Sequence, residues 1–119
     1  MSSFEINDDD LHIEVESKLQ QVRIYDRLGN PDNYKSAFQI FEYGDRGMAY
    51  SINGDGFYMA RKHLAEVMQR LGLATLEGYV SDAHAKLITR MLRDTCEVTT
   101  PQRGECAGRD FPWIVVRPI

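Results

Sequence analysis

The sequence predicts an α+β fold with a mixed, mainly antiparallel sheet that includes a βαβα unit. In the first half, short segments rich in aromatic and β-branched residues alternate with clusters of glycine, asparagine and aspartate, which is typical of strands and turns. In the second half, two segments carry apolar residues at helical spacing, with one strand pattern between them and another at the end. This order favours helices packed on a mixed sheet.

Length and composition limit what the chain can be. Its 119 residues predict a single domain over residues 1–119, and 43% hydrophobic with 27% charged residues is ordinary for a globular protein. A net charge of −4 disfavours general binding to nucleic acid. The apolar runs are far shorter than a membrane span and the acidic start is unlike a signal peptide, so we expect a cytoplasmic protein with no membrane partner.

The N-terminal part has an ambiguous pattern. Apolar and polar residues alternate from Leu11 to Val15 and again from Val22 to Ile24, which predicts strands between Leu11 and Tyr25. The residues between these two runs would also suit a helix. Asp8 to Asp10 could form a cation site or a solvated cap or turn. We favour the cap or turn, because a calcium loop needs several spaced oxygen ligands.

A turn, a strand and a hairpin are predicted next. Arg27 to Asn33 concentrates turn-forming residues, so the chain should reverse there. Ala37 to Tyr43 is rich in aromatic and β-branched residues, which predicts a strand. The sequence GDRG, Gly44 to Gly47, predicts a tight hairpin turn into a second strand, Met48 to Ile52.

The second half begins with the clearest helical pattern. Apolar residues from Phe57 to Leu71 recur at the spacing of an amphipathic helix, and Gly72 is a suitable C-cap. Leu73 to Val80 has the composition and length of a strand. The unit from Met48 to Val80 is therefore predicted to be a right-handed parallel crossover.

A second helix and a closing strand complete the predicted fold. Ser81 or Asp82 can cap a helix that ends near Asp94 and whose buried stripe would consist of Leu87, Ile88, Met91 and Leu92. Residues 101–110 are rich in turn formers, and the residues after them predict a buried final strand that ends at Pro118.

The segment YSINGDGFY, Tyr50 to Tyr58, joins a predicted strand to a predicted helix. Backbone N–H groups at such a junction can bind an anion, and glycines on either side of Asp55 let the backbone approach a phosphate closely. The spacing is neither that of a P-loop nor that of a full dinucleotide-binding fingerprint. Two interpretations therefore stay open, a phosphate-binding loop and a plain turn between strand and helix.

From Gly47 to Pro118 the chain resembles the GNAT (N-acetyltransferase) superfamily, above all its short, divergent phage-encoded members. In that family a strand is followed by Q/R-x-x-G-x-G/A and a long helix, and Ser51, Gly54 and Gly56 stand at the corresponding positions. The segments LEGYVSDAHAKLITRMLRDTC and GRDFPWIVVRP are also similar to the family. The resemblance implies a GNAT-like domain whose N-terminal helices are reduced, because few residues precede the matching part.

The resemblance also implies an acetyl-CoA site and transfer of the acetyl group to an amine on a small molecule or a protein. The pantetheine arm would bind backbone groups of the strand before the loop, and the pyrophosphate would bind the loop. The amine must lose its proton before it attacks, and Glu42 is the candidate general base. The implied cofactor-binding residues are Tyr50, Ser51, Ile52, Asn53, Gly54, Asp55, Gly56, Phe57, Tyr58 and His84.

Departures from the family pattern support a second interpretation. Met91 stands where many members place the tyrosine that protonates the departing thiolate, and Ser51 replaces Gln or Arg. These differences fit a non-catalytic GNAT-fold protein that binds or inhibits a target, such as a phage protein in the host cytoplasm. Nucleic-acid binding through a basic helix is the least favoured alternative; the candidate faces are ARKH, Ala60 to His63, with Arg70, or Lys86, Arg90 and Arg93 on the other helix. A homodimer is compatible with the sequence.

The histidines and cysteines form no recognisable metal-binding motif. His12, His63 and His84 are far apart in the sequence, and Cys96 and Cys106 lack the close spacing of a zinc site. We therefore predict no metal centre and two free thiols.

Overall fold

The computed structural model describes residues 3–16, 20–26, 32, 34–50 and 60–119. This part of the chain contains eight strands and two α-helices. In chain order they are β1 (Phe4–Asn7), β2 (Leu11–Glu16), β3 (Gln21–Asp26), β4 (Tyr34–Tyr43), β5 (Arg46–Tyr50), α1 (Leu64–Leu71), β6 (Thr75–Tyr79), α2 (Asp82–Leu92), β7 (Cys96–Cys106) and β8 (Arg109–Pro118).

The strands form one open sheet in the order β1-β2-β3-β4-β5-β6-β8-β7. Neighbouring strands pair antiparallel except β5 and β6, which are parallel. The chain passes from β5 through α1 to β6 and then through α2 to the β7–β8 hairpin. The predicted α+β class, the mixed and mainly antiparallel sheet and the parallel pairing within the βαβα unit are therefore confirmed.

Both helices of the described chain pack on the same face of the sheet. The strand register places Ile6, Ile13 and Ile24 side by side on this face. They belong to one buried cluster that also contains Met68 of α1 and Ile88 of α2. Burial of these apolar surfaces is the main favourable contribution to folding. We call the helix-covered side the inner face and the opposite side the outer face.

The amphipathic helix predicted from Phe57 to Leu71 begins later than predicted, at Leu64. Ala60 is helical, residues 61–63 form a turn, and α1 then runs from Leu64 to Leu71, while residues 57–59 lie outside the described part. His63, with φ −113° and ψ −1°, is the N-cap of α1 and makes no side-chain capping hydrogen bond. The predicted C-cap is confirmed, because Gly72 has φ 75° and glycine tolerates this left-handed conformation.

Helix α2 begins as the sequence predicts but buries a different stripe. The Ser81 hydroxyl oxygen accepts a hydrogen bond from the backbone N–H of His84, which satisfies one of the free donors of the first turn. Ala85, Ile88 and Leu92 are buried. The prediction that Leu87 is buried was wrong, since this side chain is 45% exposed. Leu87 lies one residue before the buried Ile88, and one residue corresponds to a rotation of about 100° around the helix axis. Its side chain therefore points away from the sheet.

The N-terminal segment folds into strands, which confirms the strand interpretation for residues 11–16 and 21–26. An additional strand, β1, precedes them and was not predicted. Asp8 closes the turn between β1 and β2, because its Oδ1 accepts hydrogen bonds from the backbone N–H groups of Asp10 and Leu11. The predicted reversal over residues 27–33 lies outside the described residues except for Asp32.

Turn-forming residues occur in two hairpins, β4–β5 and β7–β8. The predicted β4–β5 hairpin is confirmed, with Tyr43 paired to Arg46 and a positive φ of 64° at Gly44. The prediction of a turn-rich segment over residues 101–110 was wrong, because most of it belongs to the β7–β8 hairpin. The turn formers serve two local purposes there. Pro101 falls where the register shifts, and Gly108 with φ 78° lies in the tip.

No helix in the described part of the chain is both long and apolar enough to cross a membrane.

Candidate functional site

The sheet has one parallel pair among its described strands, and the carboxyl ends of that pair define the candidate site. The register of β5 with β6 runs from Arg46–Thr75 to Met48–Glu77. Each strand continues two residues beyond the last of these pairs, to Tyr50 and to Tyr79. Ligands of open sheets commonly bind outside the carboxyl ends of parallel strands, where the chain direction or strand order changes.

Both strand ends carry an exposed tyrosine held against an aromatic neighbour. Tyr50, which is 49% exposed, makes an edge-to-face contact with Phe41 of β4 at 5.2 Å between ring centroids. Tyr79, which is 39% exposed, makes a similar contact with Trp113 of β8 at 4.7 Å. Such contacts restrain the rings, and the Tyr79 hydroxyl lies against the backbone of Gly104 in β7. The site is thus bordered on the outer face by two restrained aromatic side chains.

Beyond the paired residues, the two strands remain close together. A Cβ atom added to Gly78 would lie 3.0 Å from the carbonyl oxygen of Ala49, a tight contact with backbone. The cavity on the inner side of this point has a volume of about 20 Å³ and is lined by residues that include Ala49, Gly78, Val80 and Ile88. This volume suits a water molecule. A larger group could enter only if the strands separated.

Next to this point, the buried carboxylate of Glu77 is fully hydrogen-bonded. The Arg46 guanidinium donates to it twice, from Nε to Oε2 and from Nη2 to Oε1, each at 2.8 Å. The Thr75 hydroxyl donates to Oε2, and the Trp113 indole N–H donates to Oε1 at 2.9 Å. Glu77 itself is only 5% exposed. One carboxylate therefore links β5, β6 and β8.

The environment of Glu77 determines its chemistry. Hydrogen bonds from Arg46 lower the pKa of the Glu77 carboxyl to about 2, against the opposing effect of burial and with help from Thr75 and Trp113. A general base works best when its pKa lies near the working pH. Glu77 is thus a weak base at neutral pH, and its contacts assign it to holding the parallel pair against β8.

The structure brings together only part of the predicted site. Tyr50 lies at the carboxyl end of β5, but Ser51 to Tyr58 lie outside the described residues. His84 is exposed in the first turn of α2, soon after the end of β6, and its Nδ1 lies 2.8 Å from Ser81 Oγ. The ring is therefore held next to Ser81, two residues after the end of β6.

The candidate base Glu42 lies apart from these residues. It is exposed near the β4–β5 hairpin, where it pairs with Gly47, whereas Tyr50 pairs with Gln39. Three residues along a strand correspond to roughly 10 Å. Glu42 is thus near the amino end of β5, and Tyr50 is at its carboxyl end.

A second concave feature lies between α2 and the β7–β8 hairpin, and we call it the α2–β7 groove. It has a volume of about 520 Å³. Lys86 and Arg90 of α2 line it together with Arg93, the C-cap of the helix, since residues three and four apart share a face. Arg103 also lines it and binds both Asp82 and Asp110, which raises the pKa of the Arg103 guanidinium above its ordinary range. Lys86, Arg90 and Arg93 give this groove a local positive charge.

Sequence reasoning missed the Glu77 network and the composition of the groove. A glutamate inside the otherwise apolar strand LATLEGYV was the available signal, because a buried carboxylate requires donors from neighbouring strands. Arg103 could not be assigned to the groove without knowing that β7 pairs with β8.

Comparison of the chain with protein-family profiles, with curated proteins and with solved structures gives no match.

Proposed function

We propose that the chain binds acetyl-CoA at the carboxyl ends of β5 and β6 and transfers the acetyl group to an amine. The observation that carries the proposal is the parallel pair, whose carboxyl ends carry the exposed Tyr50 and Tyr79. The GNAT resemblance points to the same strand and to the glycine-containing loop after it. The amine acceptor, on a small molecule or on a protein, would approach the thioester beside these strand ends.

In this proposal the chain's own backbone does most of the binding. Backbone N–H groups of the loop after Tyr50 would hold the pyrophosphate, because glycine allows a close approach and a helix start favours negative charge. The pantetheine arm would hydrogen-bond to β5 beyond Met48, where the described register with β6 ends. Since the cavity there is only about 20 Å³, binding requires Ala49 and Gly78 to move apart.

Calorimetry with acetyl-CoA and with CoA tests the cofactor site. We expect saturable heat and a raised melting temperature with both ligands. Gly56→Glu should abolish binding, since it adds a carboxylate to the loop that would repel phosphate. Gln69→Glu adds the same charge on the exposed side of α1 and is the matched control. Absence of heat and of a thermal shift at millimolar ligand would refute the cofactor site, and equal affinity in Gly56→Glu would place the phosphates elsewhere.

Transfer itself needs a separate measurement. Release of free CoA from acetyl-CoA in the presence of an amine panel is expected for an active enzyme. If Glu42 removes the proton from the amine, Glu42→Gln should lower turnover and leave CoA affinity unchanged. Unchanged turnover would exclude Glu42 as the base. Binding without turnover across the panel would favour the second candidate function.

The second candidate function is that of a non-catalytic binding protein, and the α2–β7 groove favours it. Lys86, Arg90 and Arg93 concentrate positive charge in a chain whose net charge is −4. The residues that line the groove include no aromatic side chain on which bases could stack. An acidic segment of a protein therefore fits the groove better than single-stranded nucleic acid. The partner would be recognised by carboxylates spaced along one side of the segment.

Fluorescence anisotropy with a labelled oligoglutamate and with an oligothymidylate of equal length distinguishes the two partners. We expect the oligoglutamate to bind more tightly, with an affinity that falls as salt is added. Replacing Lys86, Arg90 and Arg93 with glutamine should abolish binding, whereas replacing the exposed Arg109 and Arg117 should not. Equal loss in both variants would mean that net charge alone drives association, and tighter binding of the oligothymidylate would contradict the acidic-partner function.

A further inference from the structure

Glu5, His12 and Glu14 meet on the outer face of the first three strands. The β1–β2 register places Glu5 directly opposite Glu14 and Asn7 opposite His12. His12 and Glu14 are two residues apart on β2, so their side chains share a face. Like charges placed directly opposite each other on paired strands are destabilising unless a cation lies between them. The cluster is remote from the α2–β7 groove and from the ends of β5 and β6 in strand order.

His12 presents one ring nitrogen to the two carboxylates. The residue is 8% exposed, and its Nδ1 lies 2.6 Å from Oδ1 of Asn7. An amide oxygen only accepts hydrogen bonds, so Nδ1 carries the proton and donates it. Nε2 lies 3.3 Å from Glu14 Oε1 and 4.0 Å from Glu5 Oε1, so in the neutral ring its lone pair faces both carboxylates.

Three ligand atoms that converge in this way can be held together by a proton on Nε2 or by a bound cation. The side-chain ligand atoms of Glu5, His12 and Glu14 all lie within 4.8 Å of one another. In a tetrahedral site with bonds of about 2.1 Å, ligand atoms are separated by roughly 3.4 Å. The contact between His12 and Glu14 already has this length. Glu5 is 61% exposed at its side chain, so it can move the short remaining distance without disturbing the core.

Neighbouring side chains orient the ligands. Asn7 fixes the His12 ring through Nδ1, as an outer hydrogen bond commonly does for histidines that bind metals. Arg23 Nη2 lies 3.4 Å from Oε2 of Glu14, on the side away from His12, and leaves Oε1 directed at the cluster. Asn7 and Arg23 are positioning residues in this arrangement.

We propose that Glu5, His12 and Glu14 form a binding site for one divalent transition-metal ion of the zinc class. An imidazole together with two carboxylates suits zinc and its neighbours, whereas calcium and magnesium prefer a shell made of oxygen ligands. Three protein ligands leave a fourth position for water. Because Glu5 belongs to β1 and the other two ligands belong to β2, the ion fastens the four-residue strand β1 to the sheet.

Titration of the chelator-treated protein with zinc chloride tests the site by calorimetry and by thermal unfolding. We expect one ion per chain and a melting temperature that rises with zinc concentration, since a ligand bound only to the folded state stabilises it. Magnesium chloride at the same concentrations should have no effect. Loading with cobalt(II) should give the visible absorption of a tetrahedral site. No saturable heat up to 100 µM zinc would overturn the proposal.

Substitutions locate the ion. Glu5→Gln and His12→Gln should each remove zinc binding, while His84→Gln replaces an exposed histidine outside the cluster and should bind as before. Glu5 is exposed, so its variant keeps the proposal testable even if the His12 variant folds poorly. Asn7→Ala should weaken affinity by about 10-fold or more, and Asn7→Asp, which keeps an acceptor for Nδ1, should restore it. Equal binding by Glu5→Gln and the unmodified protein would overturn the assignment.

Discussion

Replacing Glu77 with glutamine should destabilise the protein by about 2 to 3 kcal/mol at neutral pH. The figure follows from the lowering of the Glu77 pKa from its ordinary value of 4.5 to about 2, which corresponds to about 3 kcal/mol. Because the Arg46 side chain is 53% exposed, water screens part of its attraction, and the lower part of the range allows for this. Glutamine would also place an NH₂ group opposite the hydrogen-bond donors of Arg46, Thr75 or Trp113, where the carboxylate has an acceptor oxygen.

The same contacts predict how stability depends on pH. A carboxyl group whose pKa is lower in the folded state contributes its full stability above the ordinary pKa and loses it as the pH falls through the folded value. For Glu77 the window runs from about pH 4.5 down to about pH 2. The difference between the unmodified protein and Glu77→Gln should therefore be largest at pH 7 and should shrink steadily below pH 4.5.

Urea denaturation at pH 7, 4 and 2.5 measures this difference directly. Glu97→Gln replaces an exposed carboxylate on β7 and should change the free energy of unfolding by less than about 0.5 kcal/mol. Adding Arg46→Met to each background completes a double-mutant cycle, in which the coupling between Arg46 and Glu77 should exceed about 1 kcal/mol. A difference that stays constant from pH 7 to 2.5, or a coupling near zero, would refute the assigned role of the network.

Three further outcomes follow from local geometry. Gly104→Ala should cost about 1 to 3 kcal/mol, because the new methyl group would overlap the hydroxyl of Tyr79, whose ring packs against Trp113. Gly78→Ala should cost less, because the Ala49 carbonyl oxygen lies 3.0 Å from the new methyl group. Chemical denaturation compares them, and the reverse order would contradict the reasoning. Ser81→Ala should remove about 1 kcal/mol by loss of the α2 cap, and unchanged stability would show that the cap contributes nothing. Burial raises the pKa of the Cys96 thiol, so this free thiol should react with a disulfide reagent at pH 8 only after unfolding, and rapid reaction of the native protein would contradict its burial.

Most of the sheet could be predicted because alternation and aromatic or β-branched composition are local signals. Strand β1 was missed because its four residues and the three aspartates after it were considered separately, although together they form one hairpin. Strand β7 was missed because Pro101 and Gly108 suggested a loop, whereas each acts at a single point of a long hairpin. A turn-forming residue in a sequence indicates where the chain can turn or bend, but not how many of its neighbours belong to a loop.

The side-chain clusters were much less predictable than the strands. His12 and Glu5 are close only because a turn at Asp8 sets the register of two strands, and an error of one residue would place them on opposite faces. Glu77 meets Arg46 through pairing between strands that are separated in sequence by a helix. Such contacts depend on register and topology, which residue patterns leave undetermined.

The two outermost strands of the sheet affect how the protein can associate with itself. β1 has only four residues, and the longer β7 changes register between Thr99 and Gln102, where Pro101 has no N–H to donate. Short or interrupted border strands make poor templates for the strands of another molecule. Extension of the sheet from chain to chain, the route to fibrous aggregates, is thereby disfavoured, and we expect any homodimer of this chain to form through a face of the sheet or through its helices.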